Sequence, residues 1–503
     1  MFGLIKRYLP RGGYFSRLLM VIGVLIAVPL LVLPFCPEDA QYAPSFIAPS
    51  ALLFALGIVT ALPVWKARTK ATAEWQAPLL RGSAPVMFAW TVSILAGAIP
   101  FVLSGQLNVL HALFESVSGW STTGLTIMDV TNVPNIFLFH RAFMQYSGGL
   151  GFIIIIGIIV HGRQMATLYN AEGHPDGLMP NLKRTSRTIF FIYNSCLALG
   201  SILYVLFGMP PFDAICHAMS AISTAGFTTR AGSIGAFDSL PIELVTIALM
   251  LIGASNFAVL LLLVKRRFKR VLKTAEVRTM LVLLAIFVPL VALSLAAQSG
   301  LSVGQAIRHA AFSVVAMLST TGYSAMDYAA LPAFALGLLL PLMIIGGSTG
   351  STGGGIKLLR AYILFRVTRD NFKKRLSPAH TVTVARYTRP QGDAPLDNEL
   401  ILDTVEFIAA FFGILVVGTL LLTLTAGCSL FDAMFAFMSA FVTVGLPNAI
   451  TGPHSGAGTL IVEMVGMLLG RLEIFIVFIG AYSGIRALGG RLFKILKKTG
   501  GKT

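Results

Sequence analysis

Long apolar runs and short ones alternate along most of this chain. Ten runs reach the roughly 20 residues that a helix needs to cross a bilayer. They cover residues 17–35, 46–65, 84–103, 136–160, 187–208, 241–264, 277–297, 331–366, 402–426 and 459–485. Four shorter apolar segments, at 109–121, 211–223, 305–319 and 430–442, each lie between two long runs and are too short to cross. The pattern predicts an initial helix pair followed by four units, each with a half-crossing helix between two crossing helices.

Each short segment ends in nearly the same phrase. Three copies read STTGLT (121–126), STAGFT (223–228) and LSTTGYS (318–324), and a fourth lies in FVTVGLPN (441–448). A Phe or Cys stands ten residues before each glycine, and a Met stands 20 to 24 residues after it. The residue thirteen before each glycine is a His or an Asp, namely His111, Asp213, His309 and Asp432. These registers establish a fourfold internal repeat, which fixes the architecture; for the two aspartates we expect helix capping.

The repeat predicts the fold class and the domain boundaries. The class is an all-α polytopic membrane protein with about ten transmembrane helices and four re-entrant pore helices, in four pseudo-symmetric units around one ion pore. The N-terminal helix pair occupies residues 1–82. The four units occupy residues 83–162, 163–268, 269–368 and 401–503. A basic loop at 369–400 precedes the fourth unit, which ends in a basic C-terminus.

Composition and charge agree with a membrane protein. The 503 residues are 56% hydrophobic and 12% charged, about half the charged fraction of a soluble domain. The net charge of +17 could suggest nucleic acid, but the basic residues crowd both ends and the loops 265–278 and 366–390. The alternate loops hold only Arg230 and Arg308. This is the positive-inside bias, which predicts cytoplasmic termini and no nucleic-acid partner. Four scattered cysteines form neither a disulfide framework nor a metal site.

The repeated phrase predicts a cation pore. Non-helical backbone at membrane depth is tolerated where it is buried in protein or lines a watery path. Glycine permits the positive φ that would turn successive carbonyls one way, and rings of carbonyls replace the hydration shell of potassium. Small residues also pack membrane helices together. Packing alone does not explain why the phrase ends four short segments.

A glycine-rich stretch interrupts the long run of the third unit. The sequence GGSTGSTGGG at 346–355 contains Gly346, Gly347, Gly350, Gly353, Gly354 and Gly355. Six glycines in ten residues predict a broken helix. Neither GxxxxGK[ST] nor GxGxxG matches there, which argues against a phosphate-binding loop. Lys357 and Arg360, just after the break, are either snorkelling charges or part of a gate.

Ionisable residues inside the apolar runs are candidate functional groups. Arg471 and Glu473 lie in the last run, two residues apart, a spacing at which helical side chains do not face each other. Arg141 and Gln145 have a related place in the first unit, where Arg141 could also be interfacial. Asp129 and Asp327 follow glycines of the repeated phrase by five residues and either attract cations or serve as turn residues.

The motifs resemble the membrane subunit of the Trk/Ktr/HKT potassium-uptake superfamily, and most closely its bacterial Trk branch. The residues that carry the resemblance are STTGLT, STAGFTT, LSTTGYS, IIGGSTGSTGGGIK (344–357) and LLGRLEIF (468–475). It covers nearly the whole chain. The family implies potassium uptake across the bacterial cytoplasmic (inner) membrane through a gated, selective pore that follows the membrane potential.

The resemblance also implies site residues. Potassium, the transported ion and the sole cofactor expected, would be bound by backbone carbonyls of Thr122, Thr123, Gly124, Thr224, Ala225, Gly226, Thr320, Thr321, Gly322, Thr443, Val444 and Gly445. The glycine-rich stretch would block or open the pore. Arg471 would oppose it as a barrier to cations. The implied partners are a second copy in a homodimer, a cytoplasmic nucleotide-binding regulatory ring protein and the lipid bilayer.

Two other functions stay open at this point. The first is a symporter that couples potassium to sodium or protons, since transporters also use repeats and broken helices. Midplane carboxylates, which such transporters usually need, are scarce here. The second is a membrane-embedded enzyme, but no cluster of nucleophile and base supports it. We therefore expect a protein that is not an enzyme.

Overall fold

Helices dominate the part of the chain that the structure describes. The structure is a computed structural model and describes residues 14–66, 84–151, 182–376, 385–446 and 450–482. The α-helices are α1 (Tyr14–Ala27), α2 (Ala43–Lys66), α3 (Ala84–Leu103), α4 (Val109–Trp120), α5 (Asn135–Leu150), α6 (Leu182–Leu206), α7 (Pro211–Ile222), α8 (Leu240–Gly253), α9 (Phe257–Val264), α10 (Phe268–Lys273), α11 (Ala275–Gln298), α12 (Val303–Leu318), α13 (Ala333–Ile345), α14 (Leu358–Leu376), α15 (Asn398–Ala426), α16 (Leu430–Phe441) and α17 (Ala457–Arg471). Short 3₁₀ turns lie at Val28–Val32, Pro37–Tyr42, Val130–Asn132, Ser233–Phe237 and Tyr328–Ala330. The predicted all-α class is confirmed.

Several of these helices are long and apolar enough to cross a membrane. Within the described ranges six segments meet that condition by length and composition, and the number is seven if the bent pair α8–α9 is one span. Every one of the ten predicted runs contains helix, but the second run of each unit is interrupted. The part of the first of these runs beyond Gly151 lies outside the described residues.

The interruptions fall at matching places in the four units. Helix α5 ends at Gly151, which has a φ of +80°, and α8 meets α9 at an angle of 112°. The third unit breaks over residues 346–357, between α13 and α14. In the fourth unit Glu473 has a φ of +59°, and helix resumes at residues 474–482. In each unit, irregular backbone thus begins a few residues after the methionine of the repeat.

Short helices α4, α7, α12 and α16 cover the four short apolar segments that the sequence predicts to be half-crossing. Asn108, Ser302 and Ser429 cap α4, α12 and α16 through side-chain oxygens. The expectation that the aspartates are caps was wrong. Asp213 accepts from Thr229 and Arg230 in the loop after the phrase, and Pro210 precedes α7 without a side-chain cap. Asp432 lies in the first turn of α16, where the serine is the cap.

A small hairpin lies within the predicted basic loop 369–400. Strands β1 (Arg386–Arg389) and β2 (Gly392–Pro395) pair antiparallel around a two-residue turn. Tyr387 and Ala394 on its inner face form a buried cluster with Ala275, at the start of α11. The sequence analysis missed this hairpin because four-residue strands carry little periodicity.

Candidate ion-binding site

All four short helices end in the same unusual turn. The residue after each helix cap is a threonine with positive φ: Thr122 (56°), Thr224 (51°), Thr320 (59°) and Thr443 (55°). The next residue donates its N–H to the carbonyl five positions earlier, at 2.9–3.0 Å. That bond closes a helix in the manner of a Schellman turn, where glycine is the usual left-handed residue. A β-branched residue there costs about 1–3 kcal/mol, a strain that is typical of functional sites.

The next two residues complete four equivalent segments, which we call the filter strands (122–124, 224–226, 320–322 and 443–445). Their glycines have φ values of +70° to +90°. A Cβ on Gly124 would collide with the Ala225 carbonyl oxygen, and one on Gly226 would collide with that of Thr321. A Cβ on Gly322 would likewise collide with the Val444 carbonyl oxygen, and one on Gly445 with that of Thr123. Each glycine thus abuts the next unit, and the fourth returns to the first, so the strands form a closed ring in chain order.

The threonine hydroxyls lie at one end of this ring. Thr224 Oγ1 is 3.0 Å from Thr352 Oγ1, and Thr320 Oγ1 accepts from the Gly354 N–H at 2.7 Å. The hydroxyls of Thr122 and Thr443 are buried and have no hydrogen-bond partner within the described residues. Two of the four hydroxyls are therefore engaged by the glycine-rich stretch.

The glycine-rich stretch (346–355), which we call the glycine-rich loop, packs against that same end of the ring. A Cβ on Gly353 would meet the Ser319 carbonyl at 2.9 Å, and one on Gly354 would collide with Val442 O. Thr352 donates its N–H to Gly253 at 3.1 Å and its hydroxyl to Ile222 at 3.3 Å. The loop therefore touches the filter ends of units 2, 3 and 4, and larger residues at its glycines would not fit.

Arg471 closes the side that the loop leaves open. Its Nη1 donates to the Thr352 carbonyl at 2.6 Å, and its Nη2 donates to Gly148 of α5 at 2.7 Å. One guanidinium from unit 4 thus joins the loop of unit 3 to the second helix of unit 1. All of the predicted gate residues lie together at this end of the ring.

A buried carboxylate anchors the other side of the loop. Glu276, in the first turn of α11, accepts from the Thr349 N–H at 2.6 Å. It also accepts from Asn256 Nδ2 at 3.4 Å, at the break between α8 and α9. The side chain is 3% exposed. Asn256 Oδ1 in turn accepts from Ala258 N and caps α9, a role that the sequence analysis did not assign.

The basic residues after the loop have structural partners. Lys357 is buried, and its Nζ donates to the Gly353 carbonyl, so it does not snorkel to an interface. Arg360 pairs with Glu473 at 2.9 Å and stacks over the Phe407 ring at 3.8 Å. Glu473 therefore pairs with Arg360, while Arg471 faces the loop. Arg471 and Glu473 do not pair with each other, as their two-residue spacing led us to expect.

A buried ion pair holds the segment just after the first filter strand. Glu115 of α4 pairs with Arg141 of α5 at 3.2 Å, and both side chains are at most 1% exposed. Glu115 Oε1 also accepts from the Ile127 N–H at 2.8 Å. Arg141 stacks over Phe227 at 4.0 Å, so it is not interfacial. The sequence analysis missed Glu115, although a lone carboxylate in a short apolar segment could have been matched to the arginine of the next run.

Of the two acids after the filter glycines, Asp129 serves as a turn residue. It accepts from Thr131 N at 3.1 Å, Thr131 Oγ1 at 2.7 Å and Asn132 Nδ2 at 3.2 Å. These bonds from Thr131 lower the pKa of Asp129 below its ordinary value. The exposed carboxylate therefore stays ionised while it holds the turn. Asp327 is also exposed and lies just before the 3₁₀ turn Tyr328–Ala330.

Comparison with known proteins gives consistent results. The profile of the TrkH family, described as a cation transport protein, matches residues 51–483. The Trk system potassium uptake protein TrkG of Escherichia coli K12 is 32% identical over 417 residues, which cover 78% of this chain and 82% of that protein. TrkH of Halomonas elongata is 28% identical and covers 92% and 96%. The crystal structure of the potassium transporter TrkH from Vibrio parahaemolyticus superposes with a TM-score of 0.79 at 28% identity, covering 92% and 96%.

Proposed function

Because the chain belongs to the TrkH family of cation transport proteins, we propose that it is the membrane subunit of a Trk-type potassium uptake system. Potassium enters the cell through a gated, selective pore and follows the membrane potential. That potential contributes about 2.3 kcal/mol per charge for every 100 mV. The proteins it resembles are transporters, and we propose no enzymatic activity.

The observation that carries the proposal is the closed ring of four strained filter strands. Carbonyl oxygens in such a ring replace the hydration shell of potassium. The carboxyl ends of α4, α7, α12 and α16 add partial negative charge where the cation sits. The proposed ligands are the backbone carbonyls of Thr122, Thr123, Gly124, Thr224, Ala225, Gly226, Thr320, Thr321, Gly322, Thr443, Val444 and Gly445.

The glycine-rich loop and Arg471 form the proposed gate. The loop contacts the filter strands of units 2, 3 and 4. Arg471 of unit 4 bonds both to this loop and to α5 of unit 1. A fixed positive charge next to the path repels potassium. Opening requires the loop to leave the filter, which breaks its bonds to Thr224, Thr320 and Glu276.

The assembly and orientation belong to the same proposal. The units are those given by the repeat, at 83–162, 163–268, 269–368 and 401–503, after the helix pair at 1–82. The protein lies in the cytoplasmic membrane with both termini inside, as the basic loops favour. We propose that the protein forms a homodimer and works with a cytoplasmic nucleotide-binding ring protein, the partners that the resemblance implies. The basic loops 265–278 and 366–390 are the proposed docking surfaces. Arg270 of the first loop donates to the Gln391 carbonyl, just after the second.

Cation flux into liposomes that hold the purified chain tests the proposal. We expect potassium and rubidium to pass far faster than sodium and lithium. Gly124→Ser should abolish the preference, because its Cβ would collide with Ala225 in the ring. Gly304→Ser is the matched control, since no atom lies within 4 Å of a Cβ there. Equal sodium flux in the unaltered protein would contradict a selective pore. No flux even after shortening 346–355 would contradict a pore of any kind.

A further inference from the structure

A polar side chain of unit 1 bridges the seam between the first two filter strands. Gln145 of α5 is fully buried. Its amide nitrogen donates to the Ala225 carbonyl at 2.7 Å. Its amide oxygen accepts from the Phe227 N–H at 3.1 Å and from Ser220 Oγ at 2.8 Å. One side chain of unit 1 thus holds the second filter strand on both sides of its glycine.

The other units have hydrocarbon side chains at this place. Gln145 follows the repeat methionine by one residue, and the equivalents are Leu251, Ile344 and Leu468. None of these can donate or accept a hydrogen bond. The brace is therefore a property of one seam of the ring and breaks its fourfold symmetry.

Comparison with unit 4 shows what the glutamine replaces. There Ser439, six residues before the glycine, bonds directly to the Leu446 N–H at 2.8 Å. Ser220 has the same register in unit 2, but its hydroxyl bonds to Gln145, which then bonds to Phe227. The amide of unit 1 is thus interposed between the pore helix of unit 2 and its filter strand.

We propose that Gln145 is a positioning residue that sets the selectivity of the pore for potassium over sodium. This inference rests on the proposed function. Selectivity depends on the number and field strength of the carbonyl dipoles around the ion. The N–H of Gln145 shares the Ala225 carbonyl with the ion and holds it at one distance from the axis. Without that bond the second strand is free to approach a smaller cation.

The test compares sodium with potassium flux in liposomes for Gln145→Met, which keeps the length of the side chain and removes both polar groups. We expect the ratio of sodium flux to potassium flux to rise about tenfold, which corresponds to the free energy of one hydrogen bond. Ser220→Ala removes only the bond that orients the amide, so a smaller rise in the same direction is expected.

Ser118→Ala is the matched control, because Ser118 has the register of Ser220 in unit 1 and its hydroxyl has no partner within the described residues. Its ratio should equal that of the unaltered protein. Size-exclusion chromatography and thermal unfolding confirm that each variant folds. A folded Gln145→Met with an unchanged ratio, or an equal rise in Ser118→Ala, overturns the inference alone. Unselective flux in the unaltered protein overturns the proposed function as well.

Discussion

At the scale of single residues, the threonines at positive φ combine a cost in stability with a gain in function. Glycine would occupy that backbone position without strain. Only threonine or serine would add a hydroxyl at the end of the ring. Thr122 is the informative case, because its hydroxyl is buried without a protein partner in the described structure, so its absence should affect the ion rather than the fold.

Thr122→Gly should therefore change flux and stability in opposite directions. We expect potassium flux to fall several-fold, because one oxygen is lost from the path. The protein should become more stable by about 1 kcal/mol, because the strain of a β-branched residue at a φ of 56° is relieved. Thr122→Ser keeps the hydroxyl and should keep the flux. Flux in liposomes and thermal unfolding in detergent measure both effects, and a loss of stability in Thr122→Gly would show that the hydroxyl is structural.

The sequence located these residues but not their surroundings. Positive φ at the filter glycines was deducible from the repeated phrase, since glycine is the residue that adopts it freely. Positive φ at the threonines was not, because β-branched residues avoid it. The role of Gln145 was not deducible either. Its amide acts across two units, and one sequence gives no distances between units.

At the scale of elements, the sequence predicts some of the breaks in the second helices and not others. The break at 346–357 was predicted, because six glycines cannot hold a helix. The break before Asn256 follows a single glycine, Gly253, and the one at Glu473 follows Leu472, so neither has the run of glycines that predicts a break. Tertiary contacts produce them: the Ala254 carbonyl accepts from Ser348 at 2.8 Å, and Glu473 pairs with Arg360. Such contacts to a distant loop have no local sequence pattern.

Glu276 provides the element-scale prediction. Its carboxylate holds the glycine-rich loop through Thr349 N–H and is almost fully buried. Glu276→Ala removes a charge-assisted hydrogen bond, of about 1.5–3 kcal/mol, from the closed arrangement. We expect potassium flux through the protein without any partner to rise roughly tenfold. Glu399→Ala, an exposed acid at the start of α15, is the control and should leave the flux unchanged. An unchanged flux in Glu276→Ala would mean that this bond does not hold the gate closed.

At the scale of the whole molecule, a single-chain pore has freedom that four identical subunits lack. The four seams share the glycine contact, yet one is braced by Gln145, and the pair of Glu115 and Arg141 holds the segment after the first filter strand. The ring order was foreseeable from the repeat, because consecutive units are usually neighbours. The differences between seams were not, since they depend on which side chains meet in space.

A path of contacts also joins the hairpin to the proposed gate, and a double-mutant cycle tests whether the two are coupled. Tyr387 of β1 packs in a buried cluster with Ala275, the residue next to Glu276, which binds the loop at Thr349. If the hairpin holds Glu276 in place, Tyr387→Ala should raise flux less than Glu276→Ala, and the double variant should equal Glu276→Ala alone. Residues that act through one element are not additive, whereas independent ones add within about 0.5 kcal/mol. Arg386→Ala, exposed on the same strand, should have no effect. If the effects of the two substitutions on the logarithm of the flux add in the double variant, the hairpin does not act through Glu276. Its surface then remains a proposed docking site only.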